Sequence, residues 1–194
     1  MSEIDDSLPI LSSLSDAIKR DDIGSLESLL STKPEILELA AQIWPKDPFI
    51  MAYNSKSLCV IKEIGRRKPE IVKMKDQDGN TILHLACATG DDQMVIVLVE
   101  IDSQLCFVQD NLSMIPLHTA IKRGRRDGVV RELVLACPES LGILNSQLET
   151  VFHVAVKNNN CDAFKVLLDE ARKHKKVWKV TQLESNIADM ELLS

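Results

Sequence analysis

DQDGNTILHLACATG, from Asp76 to Gly90, is the stretch on which the fold turns. It opens with Asp76-Gln77-Asp78-Gly79, a turn composition in which Gly79 supplies positive φ. Thr81 follows as a helix N-cap. Leu83, Ala86 and Cys87 then fall on one helical face, and Gly90 stops the helix. Beyond it, Met94, Val95, Leu98 and Val99 form the apolar stripe of a second helix. Neither short helix buries its stripe alone, so the pair needs a neighbour of the same kind.

That neighbour is present in the chain. DNLSMIPLHTAIKRG, from Asp110 to Gly124, and NSQLETVFHVAVKNN, from Asn145 to Asn159, repeat the pattern. Their histidines, His84, His118 and His153, are spaced by 34 and 35 residues. A second signature keeps the same period: KPEIL at Lys33–Leu37, KPEIV at Lys68–Val72 and CPESL at Cys137–Leu141, with DSQLC at Asp102–Cys106 in the equivalent place. A fixed period of this length marks stacked units whose apolar faces cover one another.

Two weaker units precede these. AIKRDDIGSLESLL, from Ala17 to Leu30, matches the second half of a repeat, with Ala17 aligned to Ala86, Ala120 and Ala155. PFIMAYNSKSLCVIKEI, from Pro48 to Ile64, matches around Ala52. The expected organisation is an N-terminal segment at 1–10, two degenerate repeats over 11–75, three clearer repeats over 76–178, and a C-terminal cap or disordered tail at 179–194. The five units run roughly 11–43, 44–75, 76–109, 110–144 and 145–178.

TILHLA, from Thr81 to Ala86, resembles the ankyrin T-P-L-H-x-A signature, and IPLHTA and TVFHVA are looser copies. The resemblance implies an all-α ankyrin-repeat solenoid of stacked helix-turn-helix units joined by β-turns or hairpin-like loops. It implies that Thr81 and Thr150 cap first helices and that His84, His118 and His153 tie adjacent turns. Ile115 stands where the fourth repeat would carry its cap, and Pro116 fixes φ at the first helical position. DGNTILHLA, the K-P-E-I-L segments and ETVFHVAVKNNNCDAFKVLL together resemble plant ankyrin proteins linked to defence and stress signalling. The implied function is a non-catalytic protein–protein interaction scaffold in such signalling. The alternative is a soluble or truncated form of a membrane-associated ankyrin protein that regulates signalling or transport.

Composition agrees with a folded chain. Apolar residues make 45% and charged residues 27%, and aromatics only 4%, so aliphatic side chains must fill the core. A formal charge of −6 gives no net drive toward nucleic acid. Two local basic runs stand out: Lys122, Arg123, Arg125 and Arg126, and Arg172, Lys173, Lys175 and Lys176. No aromatics interleave them, so nucleic acid is not an expected partner. The five cysteines form no C-x-x-C pair and read as reduced thiols in the cytosol or nucleus. The expected location is cytoplasmic, and the resemblance implies the plasma-membrane periphery as the alternative. The start MSEIDDSLPI lacks a signal-peptide pattern, and no apolar run suits a membrane span.

No enzyme, cofactor or metal site is expected. Histidines one repeat apart would lie about 10 Å from each other, too far to share a metal. Cys87 follows His84 on the same face, but the repeat register turns it toward the core. His174 sits in the basic tail and reads as solvated. Asp21-Asp22 and Asp91-Asp92 read as turn and cap residues. Lys122 and Arg123 suit the end of a helix, and equally an acidic partner.

The resemblance implies that the partner, another protein, docks on turn tips and on exposed faces of the first helices. The tips offer Gln77, Asp78 and Asn80, then Asn111, Leu112 and Met114, then Ser146, Gln147 and Glu149. The helices offer Ala88 and Thr89, Lys122 and Arg123, Lys157 and Asn158. Thr81, His84, Gly90, His118, Gly124, Thr150 and His153 are framework positions. Leu112 and Met114 read either as apolar anchors inside a polar rim or as core residues packed against the neighbouring turn.

Overall fold

The computed structural model describes residues 8–43, 48–124 and 127–173. Arg125, Arg126, His174, Lys175, Lys176 and the expected cap at 179–194 lie outside the described residues. Within them every regular element is helical. The first unit holds α1 (Leu8–Lys19) and α2 (Ile23–Thr32), followed by α3 (Ile36–Ile43). The second holds α4 (Pro48–Asn54), α5 (Leu58–Arg67) and the single turn α6 (Pro69–Val72). Then come α7 (Ile82–Thr89) with α8 (Asp92–Ile101), α9 (Pro116–Arg123) with α10 (Asp127–Ala136), and α11 (Val151–Lys157) with α12 (Cys161–Lys173). The chain is an all-α solenoid of stacked helical pairs.

The pairs form two layers. In the layer of second helices, α5 packs between α2 and α8, and α10 packs between α8 and α12. In the layer of first helices, α9 lies between α7 and α11, and α1 packs on α4. One continuous core results, running from Leu14 and Ile18 through Ile61, Ile64, Leu98 and Val134 to Leu167. Each apolar stripe is covered by the next repeat, as the period of the sequence requires.

The K-P-E-I-L segments do more than link repeats. They fold into a short third helix per unit: α6, and 3-10 turns at Ser103–Phe107 and Pro138–Gly142. Pro69 and Pro138 start these turns, where a missing N–H costs nothing. In the third unit Ser103 stands in place of the proline, and the preceding Asp102 caps the turn, its carboxylate accepting the Gln104 N–H at 2.9 Å.

One carboxylate of each acidic pair caps the start of a helix, as expected. Asp22 accepts the Ser25 N–H at 3.0 Å and Asp91 the Met94 N–H at 3.2 Å. Asp21 reaches further. Its Oδ1 accepts the Val60 N–H at 2.9 Å, so the first repeat caps α5 of the second. Ser57, at the N-cap position of α5, instead donates its hydroxyl to the Ile18 carbonyl. The degenerate units are therefore stitched by side chains that the repeat signature does not contain.

Candidate functional site

Three turn tips share one hydrogen-bond pattern. Asp76 Oδ1 accepts from the N–H groups of Asp78 (2.9 Å) and Asn80 (2.8 Å). Asp110 does the same for Leu112 and Met114, both at 2.8 Å. Asn145 serves Gln147 and Glu149, both at 2.9 Å. A backbone bond closes each tip, from Asp76 N to Asn80 O, Asp110 N to Met114 O and Asn145 N to Glu149 O. The sharp corner needs positive φ, supplied by Gly79 (83°), Ser113 (55°) and Leu148 (59°).

The tips are also bonded to one another. The Asn111 N–H donates to Asp78 O at 3.1 Å, and the Ser146 N–H to Leu112 O at 3.0 Å. Asn111 Nδ2 adds a bond to Gln77 O at 3.0 Å. Behind the tips the histidines bind in both directions. The Thr81 N–H donates to His84 Nδ1 at 3.1 Å, which leaves Nε2–H to donate to Met114 O at 3.0 Å. His118 repeats this with the Ile115 N–H (3.4 Å) and Glu149 O (3.3 Å). The longer first bond is at the repeat without a hydroxyl cap; at His153 the Thr150 N–H sits at 3.2 Å. Both buried rings are held neutral: burial lowers His84 below its ordinary value and His118 to about 4.

This frame positions a concavity of about 220 Å³ between the tips and first helices of the last two units. Leu112, Met114, Lys122, Ser146, Gln147, Glu149, Lys157 and Asn158, all expected from the sequence as partner contacts, line it with Asn145 and Val154. Lys157 is committed internally, bonding Gln147 at 2.9 Å and Glu149 at 2.8 Å. That contact holds the Glu149 carboxyl below the usual carboxylate range. Lys122 and Arg123 are exposed and form no ion pair among the described residues.

The two expected anchors separate. Leu112 is 54% exposed, whereas Met114 is only 7% exposed. Met114 lies behind the tip, where its carbonyl receives His84. It is buried in the wall of the concavity rather than projecting from the tip. Asn80 and Asn111 likewise spend their side chains on Asp76 and on Gln77 O. Thr89 Oγ1 lies 3.3 Å from the Tyr53 hydroxyl and ties the third unit to the second. Gln77, Asp78 and Ser146 stay exposed at the tips, and Ala88 is half-buried on α7.

A second concavity, about 230 Å³ and mostly apolar, was not foreseen. Phe49, Ile50, Ile71, Met74, Ile82 and Leu85 line it where α4 faces α7. Its one sequence signal is Leu85, an exposed apolar residue on the helix face where α9 carries Thr119. Among the thiols, Cys87, Cys106 and Cys137 are buried, and burial pushes the Cys87 thiol up, away from thiolate chemistry. Among the described residues no cluster of His, Cys, Asp or Glu is arranged to hold a metal ion. No helix among them is long and apolar enough to cross a membrane.

Residues 48–137 match the family model for ankyrin repeats in three copies. The human transient receptor potential cation channel subfamily A member 1 is 23% identical over 183 residues, covering 85% of this chain and 16% of that protein. Mouse rabankyrin-5 is 30% identical over 90 residues, 46% of this chain and 8% of its own length. The human SMC5-SMC6 complex localization factor protein 1 is 29% identical over 116 residues, 59% and 10% respectively. The chain thus spans under a fifth of each relative. These relatives are mammalian, and repeats of this kind form non-catalytic modules typical of interaction scaffolds. The tip ladder, the histidine ties and the matched family model converge: this chain contains an ankyrin-repeat domain.

Proposed function

We propose that the chain is a protein–protein interaction scaffold whose partner docks on the concavity between the fourth and fifth units. One observation carries this reading: two turn tips and two first helices converge on one surface, with Leu112 exposed at one tip, Lys122 in its lining without an ion pair among the described residues, and Arg123 exposed next to Lys122 in the chain. Leu112 serves as an apolar anchor, and the two cations meet carboxylates on the partner. The tip ladder holds these groups rigidly, so little ordering cost falls on binding. Relatives as different as a cation channel and a complex localization factor share the repeats, which favours a docking module over a shared chemistry.

The finer setting we propose is plant defence or stress signalling in the cytoplasm. It is supported by DGNTILHLA, the K-P-E-I-L segments and ETVFHVAVKNNNCDAFKVLL. Affinity capture from plant extract tests both levels. The intact array retains a specific partner, and Leu112→Asp with Arg123→Glu releases it while helical circular dichroism and melting stay unchanged. Loss of the fold in that variant, or undiminished capture, would reject the surface.

A further inference from the structure

The last described unit presents a face, buried in earlier units, that no described residue covers. Cys87 and Ile121 occupy equivalent positions on α7 and α9, and both are fully buried. Val156 holds that position on α11 and is 54% exposed. The His84 and His118 rings are buried and donate to a carbonyl of the following unit. His153 is exposed; its Nδ1 is pinned to Thr150 in the same way, yet its Nε2 has no partner among the described residues. Leu148, at the position of the buried Gly79, is 77% exposed. Three positions that are covered in the third unit are therefore open in the fifth.

The chain itself supplies a matching sequence. The cap positions Thr81, Ile115 and Thr150 are spaced by 34 and 35 residues, and a further 35 reaches Ser185, a good N-cap. The acceptors Met114 and Glu149 immediately precede their caps, and Glu184 immediately precedes Ser185. Ile187 then falls where Leu83, Leu117 and Phe152 are buried.

We propose that residues 184–191 dock on this edge as the first helix of a sixth unit. The Glu184 carbonyl accepts the His153 Nε2–H, Ser185 caps the helix and Ile187 enters the core layer. Solenoid ends need such covering.

Amide hydrogen exchange of α11, run on the full chain beside sedimentation velocity, tests this. The intact chain shows protected α11 amides at a monomeric mass. Ile187→Asp speeds their exchange by about tenfold or more, the ratio that burial of one large aliphatic side chain supports. Ile187→Leu keeps the original protection. Equal exchange in all three chains would overturn the proposal. So would protection that rises with protein concentration alongside a dimeric mass, which would assign the edge to a second copy.

Discussion

Acidification from pH 7 to pH 5 should loosen the stack through His118. The folded ring accepts the Ile115 N–H at Nδ1, and burial lowers its pKa to about 4. In the unfolded chain the same ring titrates near ~6.5. Between these values the unfolded state takes up a proton that the folded state refuses, so stability falls as pH falls. The stabilisation is complete above the unfolded value and is lost progressively down to the folded one. At pH 5 the ring lies about 1.5 pH units below its unfolded value, which converts to about 2 kcal/mol. His84, also lowered by burial, adds loss in the same direction. Carboxylates held low in the fold, such as Glu149, act mainly below this window. Urea unfolding followed by circular dichroism at the two pH values measures the difference. The intact chain should lose about 2 kcal/mol or more, and His118→Gln, which cannot titrate, should lose about 2 kcal/mol less across the same interval. Parallel losses in both chains would refute the assignment of a neutral, doubly bonded ring.

Other perturbations test the packing. Leu98 is fully buried on α8, the helix held between α5 and α10, so Leu98→Ala should cost about 2–5 kcal/mol in denaturant unfolding. Gly79→Ala forces φ of 83° on a side-chain-bearing residue, and its Cβ would stand 2.5 Å from Asn111 Oδ1. It should lower stability by more than ~1 kcal/mol and weaken protection of the Asn111 amide that bonds to Asp78. Asp21→Ala removes the cap that the first unit lends to α5, and should lower the thermal midpoint with a loss of about 1 kcal/mol.

Where one residue type serves one geometric need, the fold is legible in the sequence. Gly79 marks a positive-φ corner, Pro69 and Pro138 mark first turns, and His84 and His118 mark the tip-to-tip ties. Much of the proposed docking surface follows from the same period, because tips and first helices are fixed once the register is fixed. What the pattern hides is the partition between surface and core within a tip. Leu112 and Met114 are two residues apart and chemically alike, yet one is 54% exposed at the tip and the other is buried behind it. Non-local stitches are equally silent. Asp21 looks like a local turn residue, and only the distance to Val60 N shows that it caps a helix of the next unit. The apolar cleft beside α4 depends on how two dissimilar units meet, which no single repeat encodes.

A photo-crosslinking residue placed at Leu112, with the same residue at Leu135 as control, addresses the docking surface most directly. Both positions are about half exposed, but Leu135 lies on a second helix, outside the residues that line the concavity. Irradiation in extract should yield a discrete adduct from position 112 and none from position 135. Matching adducts from both positions, or none from position 112 while a partner is still captured, would contradict docking at the concavity.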